Sequence, residues 1–358
     1  MNPPPVSIIV PIYNVQDYLR ECLSSIRDQT LRDIEIICIN DGSTDCSYPI
    51  IMEYAFEDKR FKVIDKANSG YGDSVNVGIA AATGKYIGIV EPDDYIKPDM
   101  YEKLLKIAEE NRLDFVKADN IKFSCRGKRR HEEVRHHFRS GQLYDRVLTA
   151  EDKDEDFIRY THSAIWSGIY SREFLDRFGI RLDPTPGASF QDIGFNFLTY
   201  MCARRCWFTS KTYYYYRVGH TTQSVAIPEK SRCVLDEYDF IEKHYRAFED
   251  KTPMLEKMLW YQKNRDMFWA LSRLPYVKQV AFAPEMVRFL QDPPPESLPE
   301  NKIVELQRFC EDPVVYVVSS LATRYAALLN SRELRLGRRI LKYPRLFKKA
   351  IKKVLKRA

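Results

Sequence analysis

Apolar and amphipathic stretches alternate along the first 120 residues of this 358-residue chain. Five runs have the apolar pattern of buried strands: "VSIIVPIY", "IEIICIN", "FKVIDK", "KYIGIV" and "LDFVKADNIKF". Apolar residues recur at helical spacing in four segments between these runs: "QDYLRECLSSIRDQT", the segment after "DGSTD", "GDSVNVGIAAAT" and "PDMYEKLLKIAEEN". Strands that alternate with helices indicate a mainly parallel sheet flanked by helices. The pattern therefore predicts an α/β fold whose ligands bind at the carboxyl ends of the strands.

Polar side chains follow these strands where each one ends. They are Tyr13 and Asn14 after the first strand, Asp41 after the second, Asn68 and Gly70 after the third, and Glu91, Asp93 and Asp94 after the fourth. Because parallel strands end at one edge of a sheet, we expect these residues to share a cleft. Adjacent carboxylates suit a hard divalent cation such as magnesium or manganese, which binds oxygen ligands and substrate phosphates. The chain has no G-x-x-x-x-G-K-[ST] phosphate loop, so a metal-bound diphosphate is the predicted ligand.

The basic charge of the chain is concentrated at its C-terminal end. Eleven of the 56 Lys and Arg residues, and no acid, fall between Arg335 and Ala358, so the rest of the chain is net acidic. In "YPRLFKKAIKKVLKRA" apolar pairs recur every four residues between basic ones. We expect a basic amphipathic helix that binds an anionic membrane surface. A solvated terminal helix and a nucleic-acid patch are alternatives, but the acidic remainder of the chain argues against a nucleic-acid partner.

The cysteines and the hydropathy pattern predict the compartment. Eight scattered cysteines form no Cys-x-x-Cys pair, as is typical of reduced thiols in a cytoplasmic protein. No secretory signal and no run of about 18 apolar residues is evident. We therefore expect a cytoplasmic protein that is peripheral on the cytoplasmic face of the cell membrane.

Taken together, the motifs resemble the family 2 glycosyltransferases of bacterial surface-polysaccharide type, which have the GT-A fold. The resemblance rests on "VSIIVPIYN", "INDGSTD", "NVGIAAATGKYIGIVEPDD" and the later "QD", in the order and spacing of the family. It covers about residues 5 to 225. It implies a GT-A nucleotide-sugar-binding catalytic domain at 1–225, followed by a helical region at 226–335 for acceptor or oligomer contacts. The basic tail helix at 336–358 completes the predicted organisation.

The resemblance also assigns the nucleotide site. It implies that Pro11, Tyr13 and Asn14 lie against the base and ribose, and that Asp41 hydrogen-bonds a base that is commonly uracil. A carboxylate can accept from the imide N–H of uracil, although a dTDP-sugar presents the same edge. The remaining predicted nucleotide-binding residues are Asn68, Gly70, Asn76 and Asp93.

Metal and catalytic residues follow from the same resemblance. Asp94 matches the principal magnesium or manganese ligand, and His220 is a second candidate for the metal or the pyrophosphate. Asp192 in "GASFQDIGFNF" matches the Asp of the family's Glu-Asp motif, which implies that it is the catalytic base. An alternative structural role for Asp192 is to cap the helix that follows it.

Three positions depart from the family pattern. Glu91 stands where Asp is frequent, so we do not expect it to be a direct metal ligand. Val75 replaces a common Arg, a loss that Lys66, Arg217 or His220 could offset. Gln191 replaces the Glu before the base and removes one formal charge beside it.

The predicted function is metal-dependent, inverting transfer of a sugar from a UDP-sugar to a hydroxyl of a glycan or lipid-linked glycan. Asp192 would act as the general base, since the acceptor oxygen must lose its proton as it attacks. Two alternatives stay open: a nucleotidyltransferase, and a non-catalytic, membrane-associated protein that binds nucleotide-sugars. Self-association into a homo-oligomer is a further open expectation.

Overall fold

The computed structural model describes residues 3–126, 129–139, 141–153, 157, 163–187, 190–219, 228–291 and 300–320. The chain divides into two compact units, Met1–Leu274 and Pro275–Ala358. The boundaries expected at 225 and 335 stay predictions. The tail at 336–358, with its expected helix, lies outside the described residues.

The first unit begins with the predicted alternation of strands and helices. The strands are β1 (Val6–Ile12), β2 (Ile34–Asp41), β3 (Phe61–Lys66), β4 (Tyr86–Ile89), β5 (Tyr95–Ile96) and β6 (Phe115–Arg126). The helices are α1 (Gln16–Arg27), α2 (Ser47–Glu57), α3 (Tyr71–Ala81) and α4 (Met100–Asn111). β1 and β2 are buried throughout, and α1 packs Leu19, Cys22, Leu23 and Ile26 into the same apolar core. The apolar runs therefore predicted the elements that form this core.

The rest of the first unit extends the sheet and adds helices. The strands are β7 (Arg129–Arg135), β8 (Val147–Leu148), β9 (Gly168–Ser171) and β10 (Cys206–Arg217). The helices are α5 (Arg172–Arg177), α6 (Gln191–Cys202), α7 (Cys233–Ala247) and α8 (Pro253–Arg273). In the second unit the structure describes α9 (Tyr276–Leu290) and α10 (Glu300–Glu311). The predicted C-terminal helical region is thus confirmed where it is described.

Within the described residues the strands form one sheet in the order β3-β2-β1-β4-β9-β6-β10-β5, with β7 beside β6 and β8 beside β10. β1 to β4 are parallel, as predicted. β9 then enters antiparallel to both β4 and β6. The α/β class is confirmed, and the sheet is mixed beyond β4. The parallel pairing of β10 with β6 brings the end of β10 beside the loop after β4. In the described part of the chain, no helix has the length and apolar character needed to cross a membrane.

Candidate active site

Asp41 organises the turn that leads from β3 into α3. It is the last residue of β2 and is 4% exposed. Its Oδ1 accepts from the backbone N–H of Ser69 at 2.9 Å, and its Oδ2 accepts from the N–H of Gly70 at 3.0 Å. Lys66 Nζ donates to Oδ1 at 2.5 Å. Asp41 therefore fixes the backbone that follows β3, and the ammonium group of Lys66 balances the charge of its carboxylate.

The asparagines expected to line the nucleotide cleft hold backbone segments. Asn14, with φ 47, accepts from Thr44 N–H at 2.7 Å, and Asn68 donates to the carbonyl of Asp41 at 2.9 Å. Asn76 uses both ends of its amide on Leu182, donating to its carbonyl at 2.8 Å and accepting from its N–H at 2.9 Å. These contacts account for the three asparagines without a ligand. Their nucleotide contacts stay predictions.

The other positions of the predicted base loop differ in exposure. Pro11 is buried in β1, whereas the ring of Tyr13 is 51% exposed just after the strand. Gly70 has φ 102, and a Cβ there would lie 2.6 Å from the nitrogen of Gly187. Only glycine fits at position 70, because both the dihedral angle and the close backbone exclude a side chain.

The Asp94 carboxylate is held in place by residues at the end of β10. It is 1% exposed, and its Oδ2 accepts from the hydroxyl of Tyr214 at 2.9 Å. Its Oδ1 accepts from the backbone N–H of Arg217 at 2.7 Å. The Arg217 guanidinium also donates to the carbonyl of Asp93 at 2.8 Å. Burial, followed by the charges of Asp93 and Glu91, raises the pKa of Asp94 well above its ordinary value. The acidic loop is therefore an ordered element that faces the cleft.

Glu91 is tied to the start of α3. Its Oε1 accepts from the hydroxyl of Tyr71 at 2.5 Å. Burial raises the pKa of Glu91 to about 8, and the charges of Asp93 and Asp192 act in the same direction. A carboxyl group already bonded to Tyr71 agrees with the expectation that Glu91 is not a direct metal ligand.

Asp192 lies in the first turn of α6, beside the carboxylate loop. Burial raises the pKa of Asp192 from 3.8 to about 6, while a hydrogen bond from Ser163 lowers it and the charge of Asp266 raises it. The carboxylate thus loses its proton near neutrality and is more basic than an exposed Asp. Phe190, with φ 68, precedes the helix and offers no side-chain cap, so the start of α6 depends on tertiary contacts.

Gln191, which replaces the usual Glu, clamps the segment before α6. It is 2% exposed, and its Nε2 donates to the carbonyl and the hydroxyl of Thr185, both at 3.2 Å. An amide can donate in this position, whereas a carboxylate can only accept. The departure from the family pattern therefore matches the local hydrogen bonding.

Tyr216 lies within electrostatic range of the separate acidic groups. After burial, the pKa of Tyr216 is raised by the charges of Asp94, Asp93, Asp192 and Glu91, in that order. Its ring stacks on Trp166, with centroids 5.2 Å apart, and Trp166 stacks on Tyr214 at 4.2 Å. Trp166 and two tyrosines of β10 therefore form an aromatic wall that contacts Asp94 through Tyr214.

Two predicted features depend on residues that the structure does not describe. His220 lies outside the described residues. Within the described ranges, no group of three or more His, Cys, Asp or Glu side chains is arranged to hold a metal ion. The assignments of Asp94 and His220 as metal ligands stay predictions.

Tyr71, Tyr214 and Ser163 are site residues that sequence reasoning missed. Each holds a carboxylate: Glu91, Asp94 and Asp192, respectively. The alternation of "YYYY" along a strand could have indicated Tyr214, because it puts Tyr214 and Tyr216 on one face. No comparable signal marks Tyr71 or Ser163.

Solved structures with the same fold include TarS and a mannosyltransferase. The structure of S. aureus TarS residues 1–349 superposes with a TM-score of 0.70 at 20% identity, covering 90% of this chain and 91% of that one. TarS has also been solved with UDP and with UDP-GlcNAc. The mannosyltransferase PcManGT from Pyrobaculum calidifontis, solved with GDP-Man and Mn²⁺, gives a TM-score of 0.54 at 15% identity, over 94% of this chain and 83% of that one. These likenesses show the GT-A-type fold.

Sequence comparison establishes the family. The model for "Glycosyl transferase family 2" matches residues 7–178. The uncharacterized glycosyltransferase EpsJ of Bacillus subtilis is 35% identical over 249 residues, which are 68% of this chain and 68% of EpsJ. This similarity sets aside the nucleotidyltransferase alternative. The chain belongs to glycosyl transferase family 2 and is a glycosyltransferase.

Proposed function

We propose that the protein is an inverting hexosyltransferase that moves a sugar from a UDP-sugar to a hydroxyl of a glycan or lipid-linked glycan. The observation that carries this proposal is the electrostatic interaction between Asp192 and the acidic loop after β4. The charge of Asp192 raises the pKa of both Glu91 and Tyr216, and the charges of Asp93 and Asp94 also raise the pKa of Tyr216. The basic carboxylate can take the proton of the acceptor hydroxyl. The separate acidic loop can hold a cation that offsets the charge of the departing diphosphate.

Asp192 acts as the general base in this proposal. Its pKa of about 6, raised by burial, leaves it ionised at pH 7 and able to accept a proton. Attack by the acceptor oxygen breaks the bond between the anomeric carbon and the diphosphate, and the acceptor proton goes to Asp192. A single displacement inverts the configuration at that carbon, because the incoming oxygen approaches opposite the leaving group.

Uracil recognition is assigned to Asp41, with Pro11, Tyr13 and Asn14 against the base and ribose. Support comes from the place of Asp41 at the end of β2 and from the similarity to TarS, which has been solved with UDP and UDP-GlcNAc. The Asp41 carboxylate already accepts from Ser69 and Gly70. Its remaining lone pairs can accept from the imide N–H of uracil.

The acidic loop fits a divalent cation, magnesium or manganese. Asp93 and Asp94 are adjacent, and burial together with the charges of Asp93 and Glu91 raises the pKa of Asp94, so a bound cation would stabilise its ionised form. Each Asp94 oxygen accepts one of the hydrogen bonds from Tyr214 and Arg217 and keeps a lone pair for a metal. Asp94 would hold the ion, with Asp93 beside it, and His220 is a further proposed ligand. When bound, the cation offsets the charge that develops on the diphosphate.

The acceptor and the membrane contact are proposals that rest on the sequence. Eleven basic residues and no acid between Arg335 and Ala358 suit an anionic membrane surface. A tail of this kind would keep the enzyme at the cytoplasmic face, where a lipid-linked glycan of surface-polysaccharide biosynthesis is an accessible acceptor. Residues 226–335 are the proposed region for acceptor or oligomer contacts.

The Asp192→Asn variant tests the role of the base. Transfer should fall by at least about 1,000-fold, because amide nitrogen and oxygen cannot accept the proton, while the dissociation constant for UDP stays within about twofold. Asp183→Asn is a matched control, since burial also raises the pKa of Asp183 and it has no proposed role in transfer. Transfer by Asp192→Asn at the wild-type rate would remove Asp192 from the mechanism.

A further inference from the structure

Helix α8 contributes one face to the wall of the catalytic cleft. Asp266, Trp269 and Arg273 are spaced by three and four residues, which puts them on the same side of the helix. The charge of Asp266 raises the pKa of Asp192. Trp269 packs edge-on against Phe190, with centroids 5.7 Å apart, and Phe190 lies two residues before Asp192. This face of α8 therefore adjoins the start of α6, where the proposed base is.

Trp269 has the properties of a sugar-stacking platform. Its side chain is 44% exposed, which is unusual for a Trp already packed against another ring. In the described part of the chain, its indole N–H has no hydrogen-bond partner. A flat aromatic face with a free donor at its edge matches the apolar face and peripheral hydroxyls of a pyranose.

Arg273 adds a positive charge to the same surface. Its guanidinium lies over the ring of Trp269, 4.6 Å from the centroid. Among the described residues no carboxylate lies within ion-pair distance of it. Partial burial lowers the pKa of Arg273, and its electrostatic interaction with Tyr216 of β10 raises it. A partly desolvated guanidinium without a counter-ion offers a planar fork of donors for a carboxylate or phosphate.

We infer that Trp269 and Arg273 form an acceptor subsite that takes a pyranose bearing a carboxylate or phosphate group. The inference rests on the proposed function, because Asp192 must face the acceptor hydroxyl. Trp269 stacks on the sugar ring, and Arg273 binds its anionic substituent. The subsite makes the enzyme selective for an acidic glycan acceptor.

Ligand binding by the full-length protein tests the subsite. The probes are methyl β-D-glucoside, methyl β-D-glucuronide and methyl β-D-glucoside 6-phosphate, titrated with saturating UDP and Mn²⁺ and followed by ligand-detected NMR. The wild type should bind at least one anionic glycoside about tenfold more tightly than the neutral one, a difference of about 1.4 kcal/mol. The two anionic probes distinguish a uronate from a sugar phosphate.

Two variants separate the two residues. Trp269→Ala should weaken all three probes about tenfold or more, whereas Arg273→Ala should bind all three equally, at the affinity of the neutral glycoside. Phe56→Ala removes a 92% exposed ring from α2, and Arg246→Ala removes an exposed guanidinium from α7, so both serve as controls that should bind like the wild type.

The outcomes distinguish this subsite from the proposed function. UDP binding is measured first, and its absence in the wild type would overturn the donor assignment itself. With UDP bound, equal or absent binding of the three glycosides by the wild type would overturn the subsite alone. Wild-type affinity for the glycosides in Trp269→Ala and Arg273→Ala would also overturn the subsite. Weaker UDP binding by Arg273→Ala would assign Arg273 to the donor diphosphate instead.

Discussion

The hydroxyl of Tyr214 donates a hydrogen bond to Oδ2 of Asp94 at 2.9 Å, across 120 residues of sequence. The same hydroxyl oxygen accepts from the backbone N–H of Glu91 at 2.9 Å. One phenol therefore holds both ends of the acidic loop in a buried setting. The loop geometry depends on a residue that carries no charge and is far away in sequence.

Tyr214→Phe should reduce both stability and transfer. Removing the hydroxyl leaves the Asp94 carboxylate and the Glu91 N–H without this buried partner, at a cost of about 1–3 kcal/mol. We also expect transfer to fall about tenfold or more, because the loop loses its fixed position. Urea unfolding and initial rates measure the two effects. Tyr213→Phe is the matched control, since Tyr213 is half-buried on the other face of β10. A Tyr214→Phe enzyme with the properties of Tyr213→Phe would contradict this role.

Restoring the usual family residue by Gln191→Glu should harm the protein. The Gln191 amide donates to two oxygens of Thr185, and a carboxylate would face those acceptors without a proton. We expect a loss of about 1–3 kcal/mol at pH 8 and a smaller loss at pH 5, where a protonated Glu can donate. Urea unfolding at both pH values measures this.

A matched control for that substitution is Gln29→Glu. Gln29 is fully buried, and its Nε2 donates to the carbonyls of Ser25 and Lys97. Both variants should lose stability, whereas only Gln191→Glu should slow transfer, because Gln191 precedes the proposed base. A Gln191→Glu enzyme that is as stable as the wild type and more active would refute the clamp.

The pH profile of transfer should have an acidic limb with a midpoint near pH 6. Burial raises the pKa of Asp192 to about 6, and only the ionised form can accept the acceptor proton. Initial rates at subsaturating substrate between about pH 4.5 and about pH 8 measure kcat/KM. A midpoint near pH 4 would show that Asp192 behaves as an exposed carboxyl.

The raised pKa of Asp192 also predicts a stability difference. The folded state holds the proton more tightly than the unfolded state, so stability falls as pH rises from 3.8 to about 6 and the loss is complete above that window. Asp192→Asn should therefore be about 3 kcal/mol more stable than the wild type at about pH 8, with little difference near pH 4. Equal stability at the higher pH would argue against a desolvated carboxylate.

Deleting residues 343–358 should weaken binding to anionic vesicles. The deleted segment carries most of the basic charge of the proposed tail helix and all of its apolar pairs. Each basic residue near an anionic surface contributes about 1 kcal/mol. Co-sedimentation with vesicles that contain phosphatidylglycerol measures binding, and neutral vesicles are the control. Equal binding by the intact protein and the deletion variant would contradict the membrane proposal.

The sequence predicted the first half of the sheet, where strands and helices alternate along the chain. "KYIGIV" and the other apolar runs indicated β1 to β4 and β6, and the polar strand ends indicated the cleft, because parallel strands end together. β9 was missed because its four residues, "GIYS", are too short to show a period. Its antiparallel entry depends on pairing with both β4 and β6, which no local pattern records.

The side chains that hold the carboxylates were predicted least well. Glu91 and Tyr71, or Asp94 and Tyr214, meet only after the sheet has formed. The charged residues themselves were evident because carboxylates at strand ends are chemically conspicuous. A neutral tyrosine beside them resembles any other packed aromatic residue in the sequence.

Release of UDP from a panel of nucleotide-sugars tests the central claim most directly. The panel contains UDP-, dTDP- and GDP-sugars, assayed with Mn²⁺, Mg²⁺ or EDTA and with glycan acceptors, for the wild type and Asp94→Ala. We predict that a UDP-sugar is turned over with a divalent cation and that EDTA or Asp94→Ala abolishes this turnover. Turnover of a dTDP- or GDP-sugar alone, or of a UDP-sugar at the same rate with EDTA, would contradict the account.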